Sequence, residues 1–426
     1  MLMLVIFIAL VAMICINVPI AVALAMAGVI GLVVTEGVGS LVTIALDMYN
    51  GSTKFSLIAI PMFVLAGAIM NAGGITDRLI NFVSALIGFV RGGLAMVNIG
   101  VSLFFAEISG SAVADVAAMG SILIPQMKKR GYSAPFSAAV TSSSASLAII
   151  IPPSIPMILY ASSANTSVEQ LFVAGIVPGL LGAAGLMGVA YAFARRYNLP
   201  TEEAFNMPRL RETFVDALPA FALPVIILGG IFGGFVTATE AAGLAVVAAL
   251  VVSAWYRNLD IRHLRRAMLD GGMQTAVVML LVAASVLMGG FLTRAQIPQQ
   301  LAQSILSITT EQWMILLILN FFFLVIGFFL HSAAAIILVV PIVIPLINAA
   351  GIDPVHFGLV VTLNLAIGQQ TPPVASVLIT SCAVARANIW DVSKVNIWFV
   401  GVLFAVLMLC TYVPSVPLFL VEYFYR

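Results

Sequence analysis

Two short runs in this chain carry the residue types that hold ions and polar solutes in apolar surroundings. The first is Phe104-Phe105-Ala106-Glu107-Ile108-Ser109-Gly110-Ser111-Ala112-Val113-Ala114-Asp115. Small polar residues and a glycine let a helix stop and turn, exposing backbone carbonyls and the N-terminus of the next helix. Carbonyl and hydroxyl oxygens suit a hard cation such as Na⁺, and helix N-termini suit carboxylates. Inside lipid, an ionisable side chain such as Asp115 is a functional candidate by default. The plainer alternative is a cap, with Ser111 at the N-cap and Asp115 near the first turn, and the two roles are compatible. Glu107 serves either an ion or packing within the bundle or against a partner. The second run is Gly327-Phe328-Phe329-Leu330-His331-Ser332, in which His331 either packs through a hydrogen bond or carries a proton.

Two further runs surround Pro-Pro pairs. Thr141-Ser142-Ser143-Ser144-Ala145-Ser146 precedes Ile151-Pro152-Pro153-Ser154, and Asn364 and Gly368-Gln369-Gln370-Thr371 precede Pro372-Pro373. Prolines remove donors and break the helical ladder, leaving carbonyls free. Such backbone is tolerated at membrane depth only where it lines a cavity or is buried in protein. The plainer alternative is a pair of kinked helices whose serines bond back to preceding carbonyls. Gln369 and Gln370 both donate and accept, which suits a polyhydroxylated or carboxylated solute.

No nucleophile–base pair, metal cluster or phosphate cradle accompanies these residues, so the chain is read as no enzyme, and ATP-driven transport by it is not expected. Cys15, Cys382 and Cys410 lie in apolar runs and read as packing residues. Glu240, in Thr237-Ala238-Thr239-Glu240, reads as a cap.

The elements that position these groups follow from composition. Of 426 residues, 62% are hydrophobic and 8% charged, against roughly 25% charged in soluble domains. The apolar runs are continuous and long enough to cross a ~30 Å hydrocarbon layer. Continuous runs mean helices, so the fold class is an all-α integral membrane protein. A net charge of +1 gives no reason to expect nucleic acid.

The chain repeats itself at an offset of 220 residues. Ile122, Ile124, Pro125, Gly131, Val140, Pro152 and Pro153 match Ile342, Ile344, Pro345, Gly351, Val360, Pro372 and Pro373. Three aligned prolines are informative, because proline constrains backbone shape. The first repeat covers 1–196, with a scaffold or arm at 1–91 and a re-entrant hairpin and broken helix at 92–161. Residues 197–218 read as a polar cytoplasmic connector. The second repeat covers 219–426, with its scaffold or arm at 219–311 and its hairpin and broken helix at 312–381. The repeat favours two helices rather than one within 1–34. A hairpin adds no net crossing, so each half crosses an odd number of times and the second half is inverted. With both termini outside, the inner loops hold fifteen Lys and Arg and the outer side only Lys54, Arg294 and Arg426, in line with the positive-inside rule.

Ser109-Gly110-Ser111-Ala112-Val113-Ala114-Asp115, Ile151-Pro152-Pro153-Ser154, Gly351-Ile352-Asp353-Pro354-Val355-His356-Phe357-Gly358 and Ile367-Gly368-Gln369-Gln370-Thr371-Pro372-Pro373-Val374 resemble the large membrane subunit of tripartite ATP-independent periplasmic (TRAP) transporters, over essentially the whole chain. The resemblance implies a sodium-coupled elevator in a bacterial inner membrane. It implies a periplasmic substrate-binding protein and a small four-helix membrane subunit, here expected as a separate polypeptide. One sodium would sit at Ser109, Gly110, Ser111, Asp115 and Ser146, and a second at Ser332, Gly368 and Thr371. The solute, a small carboxylate, would meet Ser111, Ser143, Ser144, Pro153, Ser154, Asn364, Gln369 and Gln370. The Gln-Gln pair and the serine run look most like the sialic acid branch. A C4-dicarboxylate carrier of the same type, or a stand-alone ion-coupled carboxylate carrier, is the alternative.

Overall fold

The computed structural model describes residues 2–16, 18–109, 111–201, 204–257 and 260–425. Gly110 lies outside this description, as do the side chains of 2–4, 7, 11, 14–15 and 105–109, so the roles expected of Glu107, Ser109 and Gly110 fall there too. Among the described residues every regular element is helical.

The first half comprises α1 (Leu2–Cys15), α2 (Ile20–Glu36), α3 (Leu41–Ser52), α4 (Ala59–Ala72), α5 (Ile75–Ile87), α6 (Gly93–Ser109), α7 (Ala112–Lys129), α8 (Ala134–Ala145), α9 (Ile155–Ala164) and α10 (Val168–Arg196). The second begins with α11 (Met207–Pro224), which continues through a π turn into α12 (Gly230–Phe232). Then follow α13 (Ala238–Trp255), α14 (Ile261–Arg294), α15 (Ile297–Leu306), α16 (Gln312–Phe329), α17 (Ser332–Ala349), α18 (Pro354–Gly368), α19 (Ser376–Ala385), α20 (Ile389–Tyr412) and α21 (Ser415–Tyr425). Eight helical stretches among the described residues are long and apolar enough to cross a membrane.

The 220-residue offset is visible in the elements. α7 and α17 start at Ala112 and Ser332 and end at Lys129 and Ala349. The breaks match as well, and Pro152-Pro153 and Pro372-Pro373 are both cis. Residues 1–34 form two helices, with Pro19 at the N-cap of α2. α11 already begins at Met207, inside the stretch read as a connector, with Asn206 accepting from the Arg209 amide at 3.2 Å. The halves differ after α3. Its repeat mate is the first third of α14, which runs on unbroken, whereas in the first half the chain leaves the helix after Ser52. There the Ser52 and Thr53 hydroxyls donate to the Met48 and Tyr49 carbonyls, at 2.7 and 2.9 Å, and such local bonds compete with the helical ladder.

Two packed units result. α4 packs on α13 and α14, and α14 packs on α2, and small residues bring α2 and α14 close. A Cβ on Gly28 would stand 2.7 Å from the Met288 nitrogen, and one on Gly31 2.6 Å from the Phe291 ring. The hairpins and broken helices form the other unit and interlock crosswise. The second arm of the first hairpin, α7, packs on α19 of the second break, and α17 packs on α9 of the first. Tyr160 of α9 donates to the Pro354 carbonyl at 2.8 Å, and Gly358 leaves room for its ring, which a Cβ there would meet at 2.4 Å.

Polar contacts respect the sidedness expected from charge. Arg78 pairs with Asp216 at 3.3 Å and lies 3.7 Å over the Tyr256 ring. Lys128 donates to the Ala385 carbonyl at 3.0 Å, and the Gly92 amide donates to Pro200 at 3.2 Å. At the other end Lys54 donates to the Ser162 carbonyl at 2.8 Å, and Arg294 pairs with Glu36 and Asp47. Each pair joins groups expected on one side.

Candidate functional site

The two hairpin tips and the two breaks meet around one cavity of about 600 Å³. The first tip supplies Ser111 to Ala114, the second His331 to Ala333. The breaks supply Ile149, Ile155 and Pro156 on one side and Gln369 and Ser376 on the other. The opposite wall belongs to the other unit, through Val64 of α4 and Met273, Gln274, Val277 and Val278 of α14.

Helix starts dominate the polar wall. Ser111 is the N-cap of α7, and its hydroxyl accepts from the Ala114 amide at 3.5 Å. Its repeat mate His331 is the N-cap of α17, without a side-chain cap bond, and is exposed. The first turns of both helices therefore face one space. Exposed amides and the positive dipole ends attract anionic groups. Beneath Ser111, Asp115 is 1% exposed, on a helix that packs against the turn Ser146–Ile149 of the first break. The cap expected of Ser111 and the deep carboxylate thus coexist.

Most of the polar residues of the breaks are engaged elsewhere. Ser144 accepts from the Ser102 hydroxyl at 2.9 Å and donates to Asn98 Oδ1 at 3.2 Å. Asn98 Nδ2 in turn donates to Thr141 at 2.7 Å. Ser143 bonds the Ala139 carbonyl at 2.8 Å, and Ser146 the Ser142 carbonyl at 3.2 Å. Ser154 donates to the Ile149 carbonyl at 2.7 Å, using one acceptor freed by the break. Asn364, the repeat mate of Ser144, donates to Asn320 Oδ1 at 2.6 Å, so in each half the broken helix is bonded to the first arm of its own hairpin at the same repeat position. Asn320 also donates to Thr411 at 3.2 Å. The paired glutamines diverge. Gln369 faces the cavity and accepts from Ser376 at 3.3 Å, whereas the backbone carbonyl of Gln370 accepts from Asn396 at 3.2 Å and its side-chain oxygen from the same amide at 3.5 Å. Thr371 donates to the Ile367 carbonyl at 3.0 Å. Of the residues expected at the solute, Ser111 and Gln369 line the cavity, together with Ser332 and His331. Ser143, Ser144, Pro153, Ser154, Asn364 and Gln370 lie behind its wall.

Sequence reasoning passed over Gln274, Ser376, Asn98 and Asn396. Gln274 had a signal, as an amide in an apolar span. Asn98 and Asn396 had the same signal, but Asn98 bonds Thr141 and Ser144 and Asn396 bonds the Gln370 backbone, none of which lines the cavity. Glu240 caps α13 as expected: its carboxylate accepts from the Thr237 amide at 2.8 Å, and its own amide donates to the Thr237 hydroxyl at 3.3 Å.

Comparison with known proteins places this geometry. The YdaH transporter of Alcanivorax borkumensis superposes with a TM-score of 0.64 over 89% of each chain at 13% identity, a likeness of fold. The C4-dicarboxylate TRAP transporter large permease protein DctM of Vibrio cholerae is 35% identical, over 97% of this chain and 96% of its own. The sialic acid TRAP transporter large permease protein SiaM of the same organism is 34% identical over 89% of each. The isethionate TRAP transporter permease protein DctMQ of Oleidesulfovibrio alaskensis is 37% identical over 95% of this chain, which spans 64% of that protein's length. Residues 7–416 match the family described as Tripartite ATP-independent periplasmic transporter, DctM component, and the chain belongs to that family of transporter permeases.

Proposed function

We propose that the chain carries out sodium-coupled uptake of a small organic acid, with sialic acid the first candidate and a C4-dicarboxylate the second. The observation that carries this reading is the cavity walled by both hairpin tips and both breaks. Its volume is in the range of small-molecule sites, and its polar groups are hydroxyls, amides and two helix N-termini rather than Lys or Arg. Such a wall suits an anion whose remaining charge is met by cations bound alongside it. The oxygen-rich positions Ser111, Asp115 and Ser146 on one side, and Ser332, Gly368 and Thr371 on the other, suit sodium as the hard coupling ion.

The partners in this reading are a periplasmic binding protein that delivers the solute and a small membrane subunit. The unit of hairpins and broken helices slides against α2, α4, α13 and α14, carrying its face of the cavity with it. Uptake of radiolabelled sialic acid and of succinate into proteoliposomes, with both partners present, tests the reading. Accumulation that requires an inward sodium gradient is expected. Accumulation equal with potassium in place of sodium sinks the coupling, and uptake without the binding protein favours a stand-alone carrier.

A further inference from the structure

α14 has 34 residues, about 50 Å of helix, against a hydrocarbon layer of ~30 Å. Roughly 20 Å must therefore lie along or beyond the membrane surface. The polar end is Ile261–Gly272, on the side to which charge assigns the cytoplasm. Arg262, Arg265 and Arg266 recur there at i, i+3 and i+4 and share a face. Ala267 and Gly271 occupy the opposite face and are buried, and a Cβ on Gly271 would touch α4 at Leu65 and Ala68, 3.6 Å away. The arginine face thus points away from the protein. None of Arg257, Arg262, Arg265 and Arg266 pairs with a carboxylate among the described residues.

The same segment exposes large apolar side chains. Ile261, Met268 and Leu269 are exposed, as is Trp255, which ends α13 just before the segment. Water disfavours these groups and hydrocarbon disfavours the arginines, so the headgroup boundary satisfies both. The repeat mate α3 shares the amphipathic form, with Leu41, Val42 and Leu46 exposed, but not the charge. Its ionic residue is Asp47, which pairs with Arg294 of α14. Inversion puts these two segments at opposite surfaces, and only one has the charge that complements acidic headgroups.

We propose that the face of Arg262, Arg265 and Arg266, flanked by Arg257 and Trp255, docks anionic phospholipid headgroups. Each basic residue held at an anionic surface strengthens association roughly fivefold. The helix then runs directly into Met273, Gln274 and Val277, which line the central cavity. A lipid held at the arginines therefore sets the height and tilt of the fixed wall against which the solute-carrying unit moves.

The full chain, purified into mixed micelles of phosphatidylglycerol and phosphatidylcholine at equal mole fraction, tests this by mass spectrometry of retained lipid. Wild-type protein should retain phosphatidylglycerol over phosphatidylcholine by about fivefold or more. The triple variant R262Q/R265Q/R266Q should fall to near parity, and R262K/R265K/R266K should keep the enrichment. A wild-type protein without preference, or a glutamine variant that keeps it, overturns the proposal. So does a glutamine variant with unchanged lipid enrichment that no longer co-purifies with a co-expressed small membrane subunit, because the face then belongs to that protein. If the glutamine variant does not fold, the wild-type enrichment decides: it should drop by about half or more in high salt, and a salt-insensitive preference overturns the assignment.

Discussion

Gly327 of α16 lies directly against Gly368, the last residue of α18. A Cβ on Gly368 would stand 2.5 Å from the Gly327 Cα and 2.6 Å from its carbonyl carbon. The second hairpin and the second broken helix therefore touch backbone to backbone, next to the tip and the Pro-Pro turn that border the cavity. A methyl group here meets main chain, which cannot rotate away. Gly368→Ala is expected to destabilise the purified protein by about 1–3 kcal/mol, the usual cost of overpacking, and to abolish uptake. Thermal unfolding in nanodiscs beside a transport assay checks both. A variant with unchanged melting and transport would show that the two helices separate freely.

Neighbouring serines of the first break separate by partner. Ser144 joins Ser102 and Asn98 across two helices, while Ser143 bonds a carbonyl of its own helix. Ser144→Ala should cost about 0.6–1.7 kcal/mol, the range for interhelical hydrogen bonds in membranes. Ser143→Ala should cost less, because its helix keeps the backbone bond. The measurement is the difference in unfolding midpoint between the two variants, and a larger loss for Ser143→Ala would contradict the geometry.

Asp115 is almost completely buried beneath the Ser111 cap. Asp115→Asn preserves the shape and removes the charge. If the carboxylate serves sodium, the sodium concentration for half-maximal uptake should rise at least about tenfold, equivalent to ~1.4 kcal/mol of ion binding. Retention of the wild-type sodium dependence in proteoliposomes would reassign Asp115 to capping alone.

The two glutamines make an internal comparison. Gln369 faces the cavity, whereas the Gln370 side chain donates to the Ala366 carbonyl of its own helix and accepts from Asn396, both at 3.5 Å. Gln369→Ala should raise the half-saturating solute concentration about fivefold to thirtyfold, the effect of one lost polar contact of ~1–2 kcal/mol. Gln370→Ala should leave half-saturation within about twofold and lower the unfolding midpoint only slightly, because it removes two long side-chain bonds while the backbone carbonyl keeps its bond from Asn396. Solute titrations on both variants decide, and the reverse order would exchange their roles.

The membrane class, the helical fold, the repeat and the places where helices stop were legible in the sequence. Each depends on local composition: continuous apolar runs must satisfy their backbone internally, and paired prolines interrupt a ladder wherever they occur. The charge pattern, with fifteen Lys and Arg expected inside and three outside, gave an expected sidedness, and the contacts of Arg78, Lys128 and Lys54 each join groups expected on one side. The length of α14 was less legible, because Gly271-Gly272 resembles a break. In the fold Gly271 packs on α4, and the helix continues.

Which polar groups face the cavity was decided by tertiary structure alone. Ser143, Ser144 and Gln369 are similar candidates in a linear reading, since each is a polar residue beside a break. A hydroxyl or amide is used up by whichever neighbour packing brings to it. Ser144 meets Ser102 and Asn98, and the Gln370 side chain meets Asn396 and the Ala366 carbonyl. Gln369 turns toward the space shared with Ser111 and His331. The wall contributed by Gln274 comes from a helix more than a hundred residues away from the first tip. The sequence determined where the backbone had to break, because that is a property of neighbouring residues. Only the packing of distant helices determined which side chains the breaks leave available, because that depends on partners brought together through space.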